Sequence, residues 1–243
     1  MKTRILSMAL CLCAIITCNA QSWEEFIKNF PRKSTTQVRD YEGNLLKSTS
    51  LGVLDTRINS VQQCADAAIR LRAEYFYGRK EYNKISFKTS SGLEVPFTKW
   101  VEGYRIKASG NHAELVKSKP NNHDYGRDNF EQYLKAVMIY AGSASLYRDM
   151  PPRNDFPHIG DVLNLPGFPG HVIIVIDRKT INGINYYLFA NSWIPAQDIE
   201  IISGTNPQMK NIGNYTPIKY LKDPIRINGY TFTPSIHTRK WKD

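Results

Sequence analysis

One short run limits the fold more than any other part of the chain. His171-Val172-Ile173-Ile174-Val175-Ile176-Asp177 sets five aliphatic residues in succession between two polar ones. A strand with one wet face alternates apolar and polar residues, so an unbroken run reads as a strand covered on both faces. Such a strand needs neighbours in its sheet and a layer on each side. Strand-like stretches at 161–165 and 186–191 flank it, separated from it by Pro166-Gly167-Phe168-Pro169-Gly170 and by Asn182-Gly183. Helices precede the sheet. Ser22-Trp23-Glu24-Glu25 fits a capping box opening a short helix that Pro31 ends. Ser60 is expected to cap a strong helix over 61–77, closed by Gly78, and a second long helix is expected over 128–147, before Pro151-Pro152. Two strands are expected near 35–40 and 45–54, and a hairpin over 85–87 and 93–97 about Ser91-Gly92. Helices first and a mainly antiparallel sheet after them predict an α+β domain. The chain carries no repeat, low-complexity tract or linker.

The first twenty residues read differently. Lys2 and Arg4 precede an uncharged, mostly apolar run over 5–17, and Asn19-Ala20 supplies a small residue at a cleavage site. This is the pattern of an export signal, so the expectation is a signal peptide over 1–20 and one domain over 21–243, periplasmic or secreted. Ile15-Ile16-Thr17-Cys18 offers a second reading, a lipoprotein acylated at Cys18. No later stretch is long and apolar enough to span a bilayer. Cleavage would remove Cys11, Cys13 and Cys18 and leave Cys64 alone, so an internal disulfide is excluded where disulfides usually form. A solitary thiol in an exported chain is either a buried filler or a reactive group.

Taking Lys2 and Arg4 from the 32 basic residues leaves 30 against 22 acidic ones. These charges are scattered, apart from Arg239, Lys240 and Lys242, and favour anionic partners such as cell-wall polymer. Export and the lack of a basic motif interleaved with aromatics argue against nucleic acid. No His/Asp/Glu pair stands at helical ligand spacing, which argues against a metal hydrolase, and no cofactor is expected.

At about 100° per residue, Cys64, Ala65, Ala68, Leu71, Tyr75 and Phe76 share one broad helical face, and Asp66, Arg70 and Glu74 take the other. Cys64 then lies in the first turn, where unpaired N–H groups favour a thiolate. Arg72 falls on the apolar face and needs an anionic partner, either a structural carboxylate or a substrate group. His171 opens its strand behind a tight Gly-Pro turn, a rigid placement suited to a general base. His112, His123, His158 and His237 lie in polar loop contexts. A side-chain carbonyl on the adjacent strand would fix the tautomer of His171. Asn191 serves if it pairs with His171. A tight turn at Asn182-Gly183 instead pairs Ile181 with Ile184, places Ile194 opposite His171 and turns Asn191 to the other face. Gln197 or Asp198 would then be the orienting group. The sequence leaves both registers open.

A Cys at a helix start, Gly160-Asp161-Val162, Gly170-His171-Val172-Ile173-Ile174-Val175 and an Asn on the next strand together resemble the papain-like cysteine peptidases and amidases. The Gly-Asp-Val and Gly-His stretches are most similar to the CHAP and NlpC/P60 cell-wall hydrolases, and Phe189-Ala190-Asn191-Ser192-Trp193 is similar to the Asn-Ser-Trp of papain. Over most of the mature chain, Gln63-Cys64-Ala65-Asp66-Ala67, Arg70-Leu71-Arg72-Ala73-Glu74-Tyr75 and Ile194-Pro195-Ala196-Gln197-Asp198-Ile199 resemble an exported bacterial family labelled domain of unknown function 4846. That family brings no activity. The first resemblance implies a papain-like fold and a cysteine hydrolase cutting an amide bond in cell-wall peptide. Cys64 would be its nucleophile, His171 its base and Asn191 the orienting residue. Gln62 or Gln63 with the Cys64 N–H would hold the oxyanion. Gln63, Arg72, Trp100 and Trp193 are the candidate substrate contacts. Two features depart from those hydrolases: their Cys stands at the very tip of the helix, whereas 61–63 is expected to be helical here, and the insert before His171 is long. The competing expectation is a glycan- or peptide-binding module on the same fold, with Cys64 inert.

Overall fold

The structure, a computed structural model, describes residues 21–121, 123–167 and 169–242. The expected export signal, with Cys11, Cys13 and Cys18, lies outside the described residues. The chain opens with α1 (Trp23–Lys28), β1 (Gly52–Val53) and α2 (Cys64–Gly78), followed by a single 3-10 turn at Tyr82–Lys84. Next come β2 (Ser86–Lys88), β3 (Glu94–Pro96), α3 (Phe97–Val101), β4 (Tyr104–Ser109) and β5 (His112–Lys117). Then α4 (Arg127–Tyr140) and α5 (Ser143–Asp149) lead to β6 (Val162–Leu165), β7 (His171–Ile181), β8 (Ile184–Asn191) and β9 (Glu200–Ile202). The C-terminal part holds β10 (Thr216–Ile218), β11 (Ile225–Ile227), β12 (Tyr230–Phe232), α6 (Pro234–His237) and β13 (Thr238–Arg239).

A seven-stranded sheet runs in the order β1-β9-β8-β7-β6-β13, with β10 also paired to β8, and its pairs are antiparallel. The architecture is α+β, as expected. The aliphatic run is covered on both faces. Val172, Ile174 and Ile176 join Leu188, Ala190, Ile199 and Ile201 against the helices. Ile173 and Val175 join Leu163, Tyr187, Phe189 and Ile202 against a second layer built from Ile218, Ile225, Ile227 and Phe232. Full burial of each such side chain stabilises by roughly 1.5–3 kcal/mol, which makes this strand the anchor of both layers.

Local sequence explains α1, where the Ser22 side chain accepts from the Glu25 N–H and the Glu25 carboxylate accepts from the Ser22 N–H. The hairpin of β2 and β3 also forms as expected. Four expectations change. The stretch 35–54 is mostly irregular, holding only isolated bridges such as Arg39 with Leu45 and the two residues of β1. The long helix over 128–147 is two helices, because Gly142 is fully extended (φ −179°) and caps α5, its N–H donating to Ser145 Oγ at 2.9 Å.

The helix expected from 61 starts instead at Cys64. Asn59 makes a local turn, its Oδ1 accepting from the Val61 N–H and its carbonyl from the Gln62 N–H. Asp66 Oδ2 then accepts from the Gln63 N–H at 2.9 Å, so the cap sits three residues later than Ser60. The supposed polar face of α2 is buried as well: Asp66 is 5 % exposed and Arg70 0 %. Arg70 is neutralised by Glu131 of α4 at 2.9 Å and by Glu74 at 3.5 Å, and its Nε donates to Gln62 Oε1. Burying a guanidinium is tolerable only with such saturation.

Candidate active site

Cys64 is the first residue of α2, so its backbone N–H has no intrahelical partner and its thiol sits at the positive end of a fifteen-residue helix. The helical residues expected at 61–63, ahead of Cys64, are therefore absent. Cys64 is half-buried and free. Burial pushes its thiol pKa up, while the N–H groups of Val172 and Ala65 pull the other way. Val172 follows His171 directly, so the thiol lies beside the start of β7.

His171 is the first residue of β7 and is 1 % exposed. Its ring stacks on Tyr230 at 4.6 Å and meets the Trp193 ring edge-on at 4.5 Å. Desolvation in this aromatic setting lowers its pKa to about 4. Asn191, the last residue of β8 and fully buried, places Nδ2 3.1 Å from His171 Nε2 and leaves Oδ1 without a partner.

The register set by the Asn182-Gly183 turn forms near that turn, and the pairing of Asn191 with His171 does not form. Asn182 and Gly183 each take positive φ (50° and 74°), the two-residue turn that pairs Ile181 with Ile184, and this pairing persists to Asp177 with Leu188. Between Val175 and Asp177 the register shifts by one residue, so Val175 pairs with Phe189 and Ile174 with Ala190. Ile176 is the extra residue of a β-bulge. Asn191 then comes beside Ile173, on the face that His171 shares with Ile173 and Val175. Without the bulge, the turn would have sent Asn191 to the helix-covered face.

His171 thus shares a face with the second layer, whereas α2 packs on the opposite face. Cys64 and His171 reach one another's surroundings because each stands at the end of its element. Both line a single cavity of about 770 Å³, together with Gln63, Asp66, Trp193 and Tyr230. Part of the cavity floor depends on a close approach, since a Cβ on Gly170 would lie 2.2 Å from Ser143 Oγ. Asp66 Oδ1 is buried without a partner, and desolvation raises its carboxyl to about 8 against the pull of the Gln63 N–H and Arg70.

Several expected contacts lie elsewhere. Arg72 is a structural residue: its guanidinium packs over the rings of Phe76, Trp23 and Trp241 at 4.5, 5.0 and 5.8 Å and donates to the Lys242 carbonyl at 2.9 Å. Trp100 is buried, donating from Nε1 to Asn129 Oδ1 at 2.9 Å with Arg105 over its ring. Neither lines the cavity. Gln62 is fully buried and unavailable as an oxyanion donor, since Oε1 accepts from Arg70 and Nε2 donates to the Gln197 carbonyl at 3.4 Å. That carbonyl also accepts from Ser192 Oγ at 2.9 Å, so the segment before Cys64 is tied to the segment after Asn191. Gln197 Nε2 points to Glu200, and Asp198 is engaged by Lys33 at 2.7 Å and the Arg39 N–H. Among the two registers' candidates, Asn191 is the one on His171.

Tyr230 escaped the sequence reading because it lies 59 residues beyond His171. The signal available was Asn228-Gly229, whose positive φ values (48° and 82°) build the β11–β12 turn that presents it. Among the described residues, no group of three or more His, Cys, Asp or Glu side chains is arranged to hold a metal ion, and no helix is long and apolar enough to cross a membrane.

No solved structure and no curated protein sequence matches the chain. The family model for the domain of unknown function 4846 matches residues 14–239, nearly the whole sequence, and the chain belongs to that family.

Proposed function

We propose that this protein is an exported cysteine hydrolase that cleaves an amide bond in cell-wall peptide or a related substrate, on a papain-like plan of the CHAP and NlpC/P60 kind. One observation carries the reading: a helix-tip Cys64 and a strand-tip His171 line the same cavity, and a buried Asn191 contacts the ring atom of His171 at 3.1 Å. A thiol, an imidazole and an orienting amide from three separate elements are the parts that nucleophilic acyl transfer needs.

The chemistry follows from the geometry. With Nε2 engaged by Asn191, Nδ1 is the nitrogen left to take the Cys64 proton. A half-turn of the Asn191 amide brings Oδ1 to Nε2–H and holds the ring in the tautomer with Nδ1 bare. The sulfur then bonds to the carbonyl carbon as its proton passes to His171, and the carbonyl electron pair moves to oxygen. The Cys64 N–H and the Gln63 side chain are the donors at hand for that oxyanion. Collapse breaks the C–N bond, His171 returns the proton to the leaving amine, and a thioester remains. Water, deprotonated by His171, hydrolyses the thioester to the acid and the free thiol. The resting pair is neutral, a raised thiol beside a depressed imidazole, so proton transfer accompanies attack. Cys64→Ala in the mature protein is expected to abolish turnover of cell-wall peptide fragments, a loss of roughly a thousandfold or more in kcat; undiminished turnover refutes the proposal.

The same burial favours a second reading, a peptide- or glycan-binding module with an inert thiol. Iodoacetamide separates the two. A native thiol that reacts no faster than an unfolded one at matched pH supports the binding module.

A further inference from the structure

The cavity beside Cys64 is unusual for this chain in what it lacks. The protein carries 32 Lys and Arg residues and a formal net charge of +10, yet among the described residues no Lys, Arg or Glu lines the cavity, and Asp66 is the one carboxyl there. Two large aliphatic side chains open onto it from separate elements. Ile139, near the C-terminal end of α4, is 55 % exposed, and Ile194, just past β8, is 67 % exposed. Isolated exposed aliphatics are ordinary, but a pair on one cavity beside a candidate nucleophile gains when a ligand covers it. A carboxylate entering the same space would shed water without meeting a cation, and an ammonium would find only the Asp66 carboxyl, 5 % exposed and already held by the Gln63 N–H. Ser60, Gln63, Ser90 and Ser143 add hydrogen-bonding groups along the cavity, which a peptide can use and a plain alkyl chain cannot.

We infer that this cavity selects a peptide whose residue on the acyl side of the cleaved bond has an uncharged, apolar side chain, packed by Ile139 and Ile194. The inference rests on the hydrolase reading for the position of the cleaved bond, but the selection against charge belongs to the cavity alone. Peptides bearing a carboxylate at that residue are poor substrates.

Two measurements test it on the mature protein. The first uses Cys64 as the only thiol and three methanethiosulfonates (neutral benzyl, anionic sulfonatoethyl, cationic trimethylammonioethyl), each normalised to its rate with 2-mercaptoethanol. The neutral reagent should react roughly tenfold faster than either charged one. Ile194→Asp, at an exposed position, should erase that advantage over the cationic reagent. Equal rates in the wild type, no reaction with any reagent, or an unchanged ratio in the variant overturns the inference. The second compares kcat/KM for fluorogenic peptides with Leu, Glu or Lys at the acyl residue and for an octanoyl amide. Leu should exceed Glu and Lys by roughly tenfold or more. A preference for Glu, or for the octanoyl amide over Leu, overturns it. Turnover absent or unaltered by Cys64→Ala counts against the hydrolase instead, while the labelling ratio still decides the selectivity.

Discussion

Asp66→Asn should make the protein more stable near neutral pH and remove a pH dependence that the wild type carries. Folding holds the Asp66 carboxyl at about 8 against 3.8 for the free group, through burial. A group whose folded pKa is raised keeps its proton in the native state after the unfolded chain has lost it. Its stabilising contribution is complete below about 3.8 and falls as pH rises toward 8. His171 runs the opposite way, since folding depresses it from 6.5 to about 4. Its contribution is complete above about 6.5 and declines as pH falls toward 4. Between those limits the two slopes oppose each other, each about 1.4 kcal/mol per pH unit. From pH 6.5 to 8 Asp66 acts alone, and the wild type should lose about 2 kcal/mol over that interval. The amide of the variant has no proton to lose and can still accept from the Gln63 N–H. At pH 7, 3.2 units above the free carboxyl, the variant should gain about 4 kcal/mol on the same scale. Urea denaturation of residues 21–243 at pH 6.5, 7.2 and 8.0, with constant m-values, reads both quantities. A variant with the wild-type slope, or with lower stability at pH 7, refutes a buried neutral carboxyl at the third position of α2.

Two further outcomes follow from the contacts around the site. Asn191→Ala should lower kcat by about tenfold or more with little change in KM, because the His171 ring loses the partner that sets its tautomer; equal loss in KM and none in kcat would assign Asn191 to substrate binding. Arg70→Met should destabilise the fold by about 3 kcal/mol in urea denaturation, because Gln62 Oε1 and the Glu131 carboxylate lose their cation in a buried setting; a variant as stable as the wild type would show that this network contributes specificity without stability.

Features fixed by local chemistry were legible in the sequence. Ser22 and Glu25 cap α1 wherever the helix later packs, and Val172 to Ile176 demand cover on two faces without saying what supplies it. Asn182-Gly183 dictates its own turn. What remained hidden depends on partners distant in the chain. Arg70 looks like a solvated residue until Glu131, 61 positions later, is beside it. Arg72 reads as either a structural residue or a substrate contact until Trp23 and Trp241, from the two ends of the described chain, close over it. The start of α2 was misplaced because Ser60 is a good cap by type, whereas Asn59 and Asp66 outcompete it by geometry. The bulge at Ile176 had no local sign at all: no glycine marks it, and the run around it is uniformly aliphatic. Yet that one residue decides whether Asn191 faces His171.

The bulge and the chemistry of the cavity belong to one arrangement. A strand buried on both faces can present a polar pair only at its end, where the sheet stops and a neighbouring helix tip can come alongside. Hence His171 and Asn191 occupy terminal positions of β7 and β8, and Cys64 the terminal position of α2. The surrounding burial then acts on Cys64, His171 and the nearby Asp66 in the same direction, by penalising charge: it raises the thiol, depresses the imidazole and keeps the Asp66 carboxyl protonated. A site built this way has no ready thiolate. Under the proposed hydrolysis it would depend on the helix N–H groups, which act more strongly where water is excluded, to stabilise negative charge only once it forms on sulfur and on the carbonyl oxygen. An apolar acyl residue seated on Ile139 and Ile194 would complete that exclusion, so the side chain that fits the cavity is also the one that would best ready Cys64 to react.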